Sequence, residues 1–422
     1  MVNLLKNYIQ NFLSRAGSHL LIANILARLF SFFASWIAVQ LIPNKELGVV
    51  LFAFSIVAFI LPITGFGLHQ SYLRFGALMD TEDEKGNLFN YVFHKGIWIT
   101  LLMIVLLIGF GFFIPFSFEN SFYYLALLSL TLLPSFVFEL IKVQFRLAYK
   151  NKEFAYTEII YNLFLILLVS LLSYFYQEKG YALALVLSPL LACLYYIKKI
   201  PFRRLKTEVP LTKTKSFWSY GVFASLANVL TQLLFVIDIL LIGYLLNDSA
   251  LITLFKYLSL IPLSLLFLPR VFMNADFVHF TENMKDWKYI KNYIKGYLLL
   301  FAIISFSLML FFTFSAEAIL KLFDPTFSEY KDIFMILLVG VVGILLFRGL
   351  FGNLLSALGK AHMNLYITGI ALGLNIGANL YLIPLYGIKG AAITSASIMW
   401  FTGILSAWLF MYLYKKDFLS KK

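Results

Sequence analysis

The stretch ANILARLFSFFASWIAVQL, residues 23–41, decides the fold class of this chain. It is apolar over almost the ~20 residues that an α-helix needs to cross a bilayer. Arg28 lies inside it, and the segment contains no carboxylate. A charge at membrane depth costs about 2.5–3.5 kcal/mol on insertion scales, so a residue of this kind is by default a functional one.

The whole chain has the composition of an integral membrane protein. Of its 422 residues, 61% are hydrophobic and 13% are charged, and the mean hydropathy is +0.86. Soluble domains contain about 45–50% apolar and about 25% charged residues. The net charge of +13 does not indicate nucleic-acid binding, because the basic residues lie between apolar runs. The single cysteine, Cys193, excludes an intramolecular disulfide.

Twelve segments are apolar and long enough to cross a membrane. We therefore predict an all-α polytopic fold with about 12 transmembrane helices in two six-helix lobes around a central cavity. The predicted spans, numbered 1 to 12 in chain order, are 19–42, 47–73, 92–115, 121–147, 154–176, 180–198, 217–246, 250–272, 294–316, 329–357, 362–383 and 387–413.

The distribution of lysine and arginine predicts the orientation. With twelve spans, 25 of the 34 basic residues lie on the side of the termini, 5 lie on the opposite side, and 4 lie inside spans. The positive-inside rule therefore places both termini in the cytoplasm. The predicted segments are a cytoplasmic interfacial helix, an N-lobe, a basic cytoplasmic linker, a C-lobe and a basic cytoplasmic tail, at 1–18, 19–198, 199–216, 217–413 and 414–422.

The first span carries a polar stripe that forms a candidate substrate site. Asn24, Arg28, Ser31 and Ser35 are spaced so that they fall within about 60° of one another on a helix. An arginine that snorkels back to the headgroups is one interpretation. A water-filled cavity is the other, and it is favoured because snorkelling does not explain the three further polar residues.

The seventh span carries a matching polar arc. Asn228, Thr231 and Asp238 lie within about 80° on one side of it, and Lys256 follows in span 8. With Arg28, these residues are candidates for lining one chamber between the lobes. A direct ion pair between Asp238 and Lys256 is the alternative.

Other charged residues in or near spans have less certain roles. Arg74 ends span 2 and is either a positive-inside anchor or part of the cavity mouth. Arg348 lies inside span 10. Glu139 and Lys142, three residues apart in span 4, are interpreted as a self-neutralised pair. His69 is able to titrate, but a lone histidine is weak evidence of a site.

Glycine and proline patterns predict breaks and close helix contacts. Pro62, Gly65 and Gly67 predict a break or bend in span 2 that suits a moving helix. A doubled GxxxG pattern in span 11 allows close contact with another helix. Its glycines are Gly369, Gly373 and Gly377. Beside them, Thr368, Asn375 and Asn379 form a polar stripe that either hydrogen-bonds to another helix or lines a groove.

The sequence lacks the motifs of common enzyme sites. It contains no HExxH motif, metal-ligand histidine cluster, phosphate-binding loop or nucleophile elbow. We therefore expect a protein that is not an enzyme and that holds no cofactor or metal. Transport energy would come from a Na⁺ or H⁺ gradient, the membrane potential or the substrate gradient.

Three motifs carry a resemblance to a known family. NLYLIPLYGIKGAAITSA, residues 379–396, contains Pro384, Gly387 and Gly390, NKELGVVLFAFSI contains Gly48, and FVIDILLIG contains Asp238. In their order and twelve-span frame they resemble the polysaccharide-transporter branch of the multidrug/oligosaccharidyl-lipid/polysaccharide flippase superfamily, the Wzx-type O-antigen flippases. The resemblance covers the whole chain.

This resemblance implies a flippase for undecaprenyl-diphosphate-linked oligosaccharide repeat units. It implies alternating access, a bacterial inner membrane location, and Arg28 at the family's basic first-span position. Arg74, Lys256 and Arg348 are further candidates for the same role of binding the diphosphate in the cavity. Membrane lipids and a polysaccharide polymerase or chain-length regulator would be partners, and the protein would be a monomer that binds no nucleic acid. The alternatives are a cation-coupled drug or small-solute exporter of the same superfamily, or a membrane enzyme such as an O-antigen polymerase or ligase.

Overall fold

The described part of the chain is helical. The structure, a computed structural model, describes residues 18–79, 81–197 and 215–419, and these residues form helices joined by short turns without a β-strand among them. The predicted interfacial helix 1–18 and basic linker 199–216 lie almost wholly outside the described residues, as do the last three residues of the tail.

Ten helices among the described residues are long and apolar enough to cross a membrane. They are Asn44–Gly76, Glu82–Phe113, Ser121–Leu147, Lys152–Ile197, Lys215–Leu246, Ser249–Met273, Trp287–Phe323, Pro325–Ala357, Ala361–Tyr386 and Ile388–Phe418.

Two features reconcile these ten helices with the twelve predicted spans. Lys152–Ile197 has 46 residues and is interrupted at Gln177, where φ is 48° and ψ is −126°, so it contains both span 5 and span 6. Span 1 is the 24-residue helix Ser18–Leu41. At 1.5 Å per residue it is about 36 Å long, enough for a ~30 Å hydrocarbon core. The all-α polytopic fold is confirmed.

Side-chain caps fix where several spans begin. Thr81 accepts a hydrogen bond from the backbone nitrogen of Glu84 at 3.2 Å, and the Glu84 carboxylate accepts one from the Thr81 backbone at 3.3 Å. This capping box starts span 3. Asp286 accepts hydrogen bonds from the backbone nitrogens of Lys288 and Tyr289 and starts span 9 in the same manner.

Span 2 is broken at the place that its proline and glycines predict. The helix Asn44–Ile60 gives way to a 3₁₀ segment, Leu61–Gly67, and resumes as Leu68–Gly76. Gly65 and Gly67 have φ values of 59° and 70°, in the left-handed region that glycine adopts without strain. A side chain at Gly67 would meet the backbone oxygen of Gly221 at 2.2 Å, so this glycine also permits close contact with span 7.

The chain divides into two compact units, each with its own hydrophobic core. The first unit is Ile22–Thr253, and the second comprises the described residues from Leu254 onward together with residues 18–21 at the start of span 1. Tyr72, Phe89 and Phe136 lie in the core of the first unit. The core of the second unit includes Tyr297 and Phe301, whose rings stack with centroids 4.2 Å apart. In a membrane protein, close packing of aromatic side chains of this size stabilises the bundle through van der Waals contact.

Span 7 packs with the first unit rather than with the helices that follow it. The Ser71 hydroxyl of span 2 donates a hydrogen bond to the backbone oxygen of Phe217 at 2.6 Å, and Gly243 packs on the Phe52 ring. The boundary between the compact units therefore falls in span 8 and not in the basic linker. The division into lobes by chain order, 19–198 and 217–413, remains a prediction.

The GxxxG glycines of span 11 allow close helix contact, but in this structure they make none with the described residues. A Cβ atom added at Gly369, Gly373 or Gly377 would have no neighbour within 4 Å among the described residues. The neighbouring polar face is the one that packs: Asn375 and Asn379 are buried and joined by a 2.8 Å hydrogen bond. A buried asparagine amide gains a hydrogen-bond partner from the packing of its face, whereas a glycine has no side chain that needs one.

The turn between spans 11 and 12 is formed by the glycines that carry the family resemblance. Gly387 has φ 59° and ψ −143°, a conformation essentially restricted to glycine. A side chain at Gly390 would lie 2.2 Å from the backbone oxygen of Leu382, so the two helices approach too closely there for any other residue. Pro384 lies in the last turn of the helix Ala361–Tyr386.

Candidate substrate-binding site

The polar stripe of span 1 borders the packed face of that helix. Ala27, Ala34 and Ala38 are buried, whereas Ile25, Leu26, Leu29 and Phe33 are exposed. On a helix of 3.6 residues per turn, Arg28 lies between these two faces, and Ser31 and Ser35 lie on the side of the alanines. Arg28 is exposed and both serines are partly buried, with the Ser35 hydroxyl donating to the backbone oxygen of Ser31 at 3.0 Å. The side chain of Asn24 lies outside the described residues.

The polar arc of span 7 has two different environments. Asn228 and Thr231 are exposed, and the Thr231 hydroxyl donates to the backbone oxygen of Ala227 at 3.0 Å. Asp238 is 4% exposed and therefore lies inside the packing of the first unit. Only the first two residues of the predicted arc are thus open to a substrate in this structure.

Arg74 lies against an aromatic ring of span 7. Its guanidinium carbon lies 4.4 Å from the centroid of the Tyr220 ring and 5.8 Å from that of Phe75. This is a cation–π geometry, which attracts the charge without neutralising it. The side chain is exposed at the end of span 2. This position agrees with both predicted roles, a positive-inside anchor and a part of the cavity mouth.

Arg348 lies in the second unit and is surrounded by uncharged acceptors. Its Nη1 donates to Oδ1 of Asn364 at 2.9 Å and to Oγ of Ser406 at 2.7 Å, and its Nη2 lies 3.4 Å from Oγ1 of Thr368. No carboxylate among the described residues of the second unit pairs with it. Arginine has five N–H donors, so two of them have no protein acceptor in this part of the chain.

The local backbone and the neighbouring amide hold this guanidinium in place. Arg348 ends a π-helical turn, Ile344–Arg348, a feature often found at functional sites. Asn364 is itself fixed, because its Nδ2 donates to the backbone oxygen of Gly352 at 2.8 Å and to the Ser356 hydroxyl at 3.0 Å. Arg348 lies nine residues before the end of the helix Gly349–Ala357, or roughly 13 Å along the helix axis.

Lys256 is the other candidate in the second unit. It is partly buried on the helix Ser249–Ser264, and within the second unit no carboxylate among the described residues lies against its ammonium group. The candidates thus fall in both units: Lys256 and Arg348 in the second, and Asn24, Arg28, Ser31, Ser35, Arg74, Asn228, Thr231 and Asp238 in the first. That they line one chamber remains a prediction.

The Glu139–Lys142 pair of span 4 has a third member. The Lys142 ammonium lies 2.9 Å from Oε1 of Glu139, as predicted, and 2.6 Å from Oε1 of Glu158 in span 5. The lysine side chain is 15% exposed, whereas the two carboxylate side chains are 46% and 38% exposed. One ammonium group therefore serves two carboxylates, and the interpretation as a self-neutralised pair is incomplete.

Sequence reasoning missed the partners of Arg348 and the third member of the Lys142 cluster. Asn364 and Thr368 are four residues apart on span 11, and Thr402 and Ser406 are four apart on span 12. Such i,i+4 polar pairs on apolar helices are a usable signal, because each places two polar groups on one face. Nothing local to span 4 indicates Glu158.

Comparison with known proteins shows the family. The profile of the family described as polysaccharide biosynthesis protein matches residues 37–329, more than half of the chain. The chain belongs to this family. The long apolar helices among its described residues show that it is a multi-pass membrane protein.

Solved structures of several membrane transporters share its fold. An inward-facing multidrug resistance MATE family transporter of the MOP superfamily is 14% identical, with a TM-score of 0.71 over 96% of this chain and 98% of that one. The lipid II flippase MurJ, in an inward closed conformation, is 18% identical, with a TM-score of 0.65 over 94% and 89%. A MOP superfamily transporter from Pyrococcus furiosus, reported with a binding pocket of reverse polarity, is 14% identical with a TM-score of 0.65 over 96% and 95%.

A curated relative is similar over a shorter stretch. The uncharacterized membrane protein MJ1068 of Methanocaldococcus jannaschii is 34% identical over 104 residues. This stretch is 24% of the present chain and spans only 20% of that protein.

Proposed function

We propose that the protein is a flippase that moves undecaprenyl-diphosphate-linked oligosaccharide repeat units from the inner to the outer leaflet of a bacterial inner membrane. The observation that carries this proposal is the environment of Arg348. A guanidinium within a membrane-spanning helix is held there by three neutral oxygen acceptors, and it has no carboxylate partner among the described residues of its unit. An anionic substrate would supply the missing countercharge.

The chemistry of the substrate fits such a site. The two free N–H groups of Arg348 match phosphate oxygens, which arginine binds through two parallel hydrogen bonds. The Arg28 stripe would offer a second cationic group, because it borders the packed face of span 1 rather than its exposed apolar face. The polyprenyl tail would stay in lipid while the glycan crosses in the chamber.

The family and the fold support transport rather than catalysis. The chain belongs to a polysaccharide biosynthesis family and shares the fold of transporters and of a lipid II flippase. In this proposal both termini are cytoplasmic, and alternating access moves the substrate. The enzymes that polymerise the glycan or set its chain length are functional neighbours.

A reconstituted transport assay tests the proposal. Vesicles that contain the protein and a fluorescent undecaprenyl-diphosphate glycan are treated with an impermeant reagent that modifies only exposed sugar. Wild-type protein should move the glycan between leaflets. Arg28→Ala should reduce the rate about tenfold or more, which corresponds to about 1.4 kcal/mol, and Arg28→Lys should retain part of it.

The matched control is Arg270→Ala. Arg270 is an exposed arginine in the helix Phe267–Glu282 and is not among the candidate site residues, so its loss should leave the rate unchanged. Glycan movement at the wild-type rate by Arg28→Ala, at equal protein density, would contradict a role for Arg28. Transport of an organic cation instead of the glycan would favour the exporter alternative.

A further inference from the structure

We infer that the start of span 9 binds the headgroup of an anionic phospholipid through Lys288, Lys291 and Lys295. The inference starts from where these lysines lie along the helix Trp287–Phe323. The 21 residues that follow Lys295 contain no charged side chain. At 1.5 Å per residue they are about 32 Å long, which matches a ~30 Å hydrocarbon core. The three lysines therefore lie at the depth of the lipid headgroups at one end of this span.

The three lysines share one exposed face of the helix. Their spacing of three and four residues places them within about 60° of one another, and all three are exposed. The opposite face is buried and fixed by hydrogen bonds. The Tyr293 hydroxyl donates to Oδ2 of Asp276 at 3.0 Å, and the Tyr297 hydroxyl donates to the backbone oxygen of Leu345 at 2.9 Å. These contacts set the rotation of the helix and hold the lysine face outward.

This face carries positive charge that the described part of the second unit does not neutralise. The ion pairs between described residues of that unit involve Lys321, Lys360 and Lys389 instead. Residues 282–295 contain four lysines and two carboxylates, a net charge of +2. The N-terminus of the helix adds partial positive charge, which disfavours cations and favours anions there. A bound anion would relieve this repulsion.

The same line of the helix faces lipid farther into the membrane. Phe306 lies eleven residues beyond Lys295 and within about 20° of it around the helix axis. Its ring is 71% exposed, and an apolar ring in the middle of a span faces acyl chains, because aqueous cavities are lined by polar groups. Phe306 is about 16 Å from Lys295 along the axis, close to half of the hydrocarbon thickness. One phospholipid therefore fits with its phosphate on the lysines and an acyl chain against Phe306.

The end of span 12 adds a fourth lysine beside this face. Tyr414, at the end of the helix Ile388–Tyr414, has its ring centroid 4.9 Å from that of Trp287. Lys415 follows it and is exposed. The nearby carboxylate of Asp417 already pairs with another lysine, Lys360, at 3.6 Å. Basic pockets between spans at the membrane surface bind phosphate-bearing lipid headgroups, so this neighbourhood suits an anionic phospholipid.

Native mass spectrometry of the full chain in detergent tests this inference without any glycan. The probes are dioleoyl phosphatidylglycerol, which is anionic, and dioleoyl phosphatidylcholine, which has the same acyl chains and no net charge. Wild-type protein should bind the anionic lipid about tenfold more tightly or better. The triple variant Lys288→Gln, Lys291→Gln, Lys295→Gln should lose this preference and bind phosphatidylcholine as before. Glycerophosphoglycerol, the same headgroup without acyl chains, should bind at least about tenfold more weakly than the lipid.

The matched control removes three exposed lysines that lie off this face, by Lys45→Gln, Lys179→Gln and Lys321→Gln together. It should retain the wild-type affinity for phosphatidylglycerol. Equal affinity of the wild type for both lipids, or an equal loss in the two triple variants, would overturn the inference. A tenfold preference for undecaprenyl phosphate over phosphatidylglycerol would assign the surface to the transported lipid and overturn it as well. Since transport is not measured, failure here is distinguishable from failure of the flippase proposal.

Discussion

The two compact units each contain a cation within a membrane-spanning helix, and the two cations have opposite kinds of partner. Lys142 in the first unit lies between two carboxylates, whereas Arg348 in the second unit is held by an amide and two hydroxyl groups. The lysine between two carboxylates already has its countercharge. The arginine is positioned by neutral acceptors, and no carboxylate among the described residues of its unit pairs with it.

This difference indicates two separate tasks for two similar charges. The Lys142 cluster contains its own anions, so its role is consistent with holding spans 4 and 5 together. Among the described residues of the second unit the Arg348 cluster contains no anion, which agrees with the proposed role in binding the diphosphate of the substrate. The predictions that follow test whether the two clusters differ as strongly as their partners suggest.

The largest effect on stability is expected for Lys142→Met. Breaking a buried ion pair costs about 3–5 kcal/mol. Because both carboxylates are more than a third exposed, solvent screening should reduce this to about 2–3 kcal/mol. Thermal unfolding in detergent measures it. Adding Glu158→Gln to Lys142→Met should recover part of the loss, since it removes one of the two unpaired carboxylates.

A smaller loss is expected for Asn364→Ala. This amide accepts one hydrogen bond from Arg348 and donates two others, to Gly352 and Ser356. Leaving these partly buried partners unsatisfied should lower the free energy of unfolding by about 1–2 kcal/mol. Because the guanidinium also loses its support, glycan transport should fall in the same variant. Normal transport despite the lost stability would mean that Arg348 needs no positioning by Asn364.

A still smaller stability effect is expected for Arg348→Met, about 1 kcal/mol or less, because removal of a buried charge also removes its desolvation penalty. Its effect on transport should be large, a reduction of about tenfold or more, with partial recovery in Arg348→Lys. Unfolding and flipping measured on the same preparations separate the two quantities. A loss of stability as large as that of Lys142→Met would contradict the contrast between the clusters.

No measurable change in stability is expected for Glu317→Gln. The Glu317–Lys321 pair has a short distance, 2.7 Å, but both side chains are 54% exposed. Exposed pairs of this kind contribute little, because water and salt screen them. This variant therefore shows whether geometry alone, without burial, accounts for the effect at Lys142.

Local sequence patterns predicted the fold well. Runs of apolar residues located the helices, and Pro62, Gly65 and Gly67 located the break in span 2. At the glycines of span 11 the sequence pattern does not decide which face packs. A GxxxG pattern permits close contact but does not require it, and the polar face with Asn375 and Asn379 is the one buried instead.

The candidate site was less predictable, because its contacts join distant parts of the chain. Arg348 bonds Ser406, 58 residues away, and Lys142 pairs with Glu158 on the next span. A helical periodicity indicates which residues share a face, but not which faces meet. The 3-residue spacing of Glu139 and Lys142 therefore suggested a closed pair, and only the packing of span 5 adds the second carboxylate.

The most direct test of the account uses the wild-type protein and two substrates that differ only in charge. Reconstituted vesicles are given the same glycan on undecaprenyl, joined in one case by a diphosphate and in the other by an uncharged linker. The account predicts that the diphosphate-linked glycan crosses at least about tenfold faster, a difference of about 1.4 kcal/mol. Equal rates for the two, or faster movement of the uncharged one, would contradict the claim that the arginines of the spans recognise an anionic lipid-linked substrate.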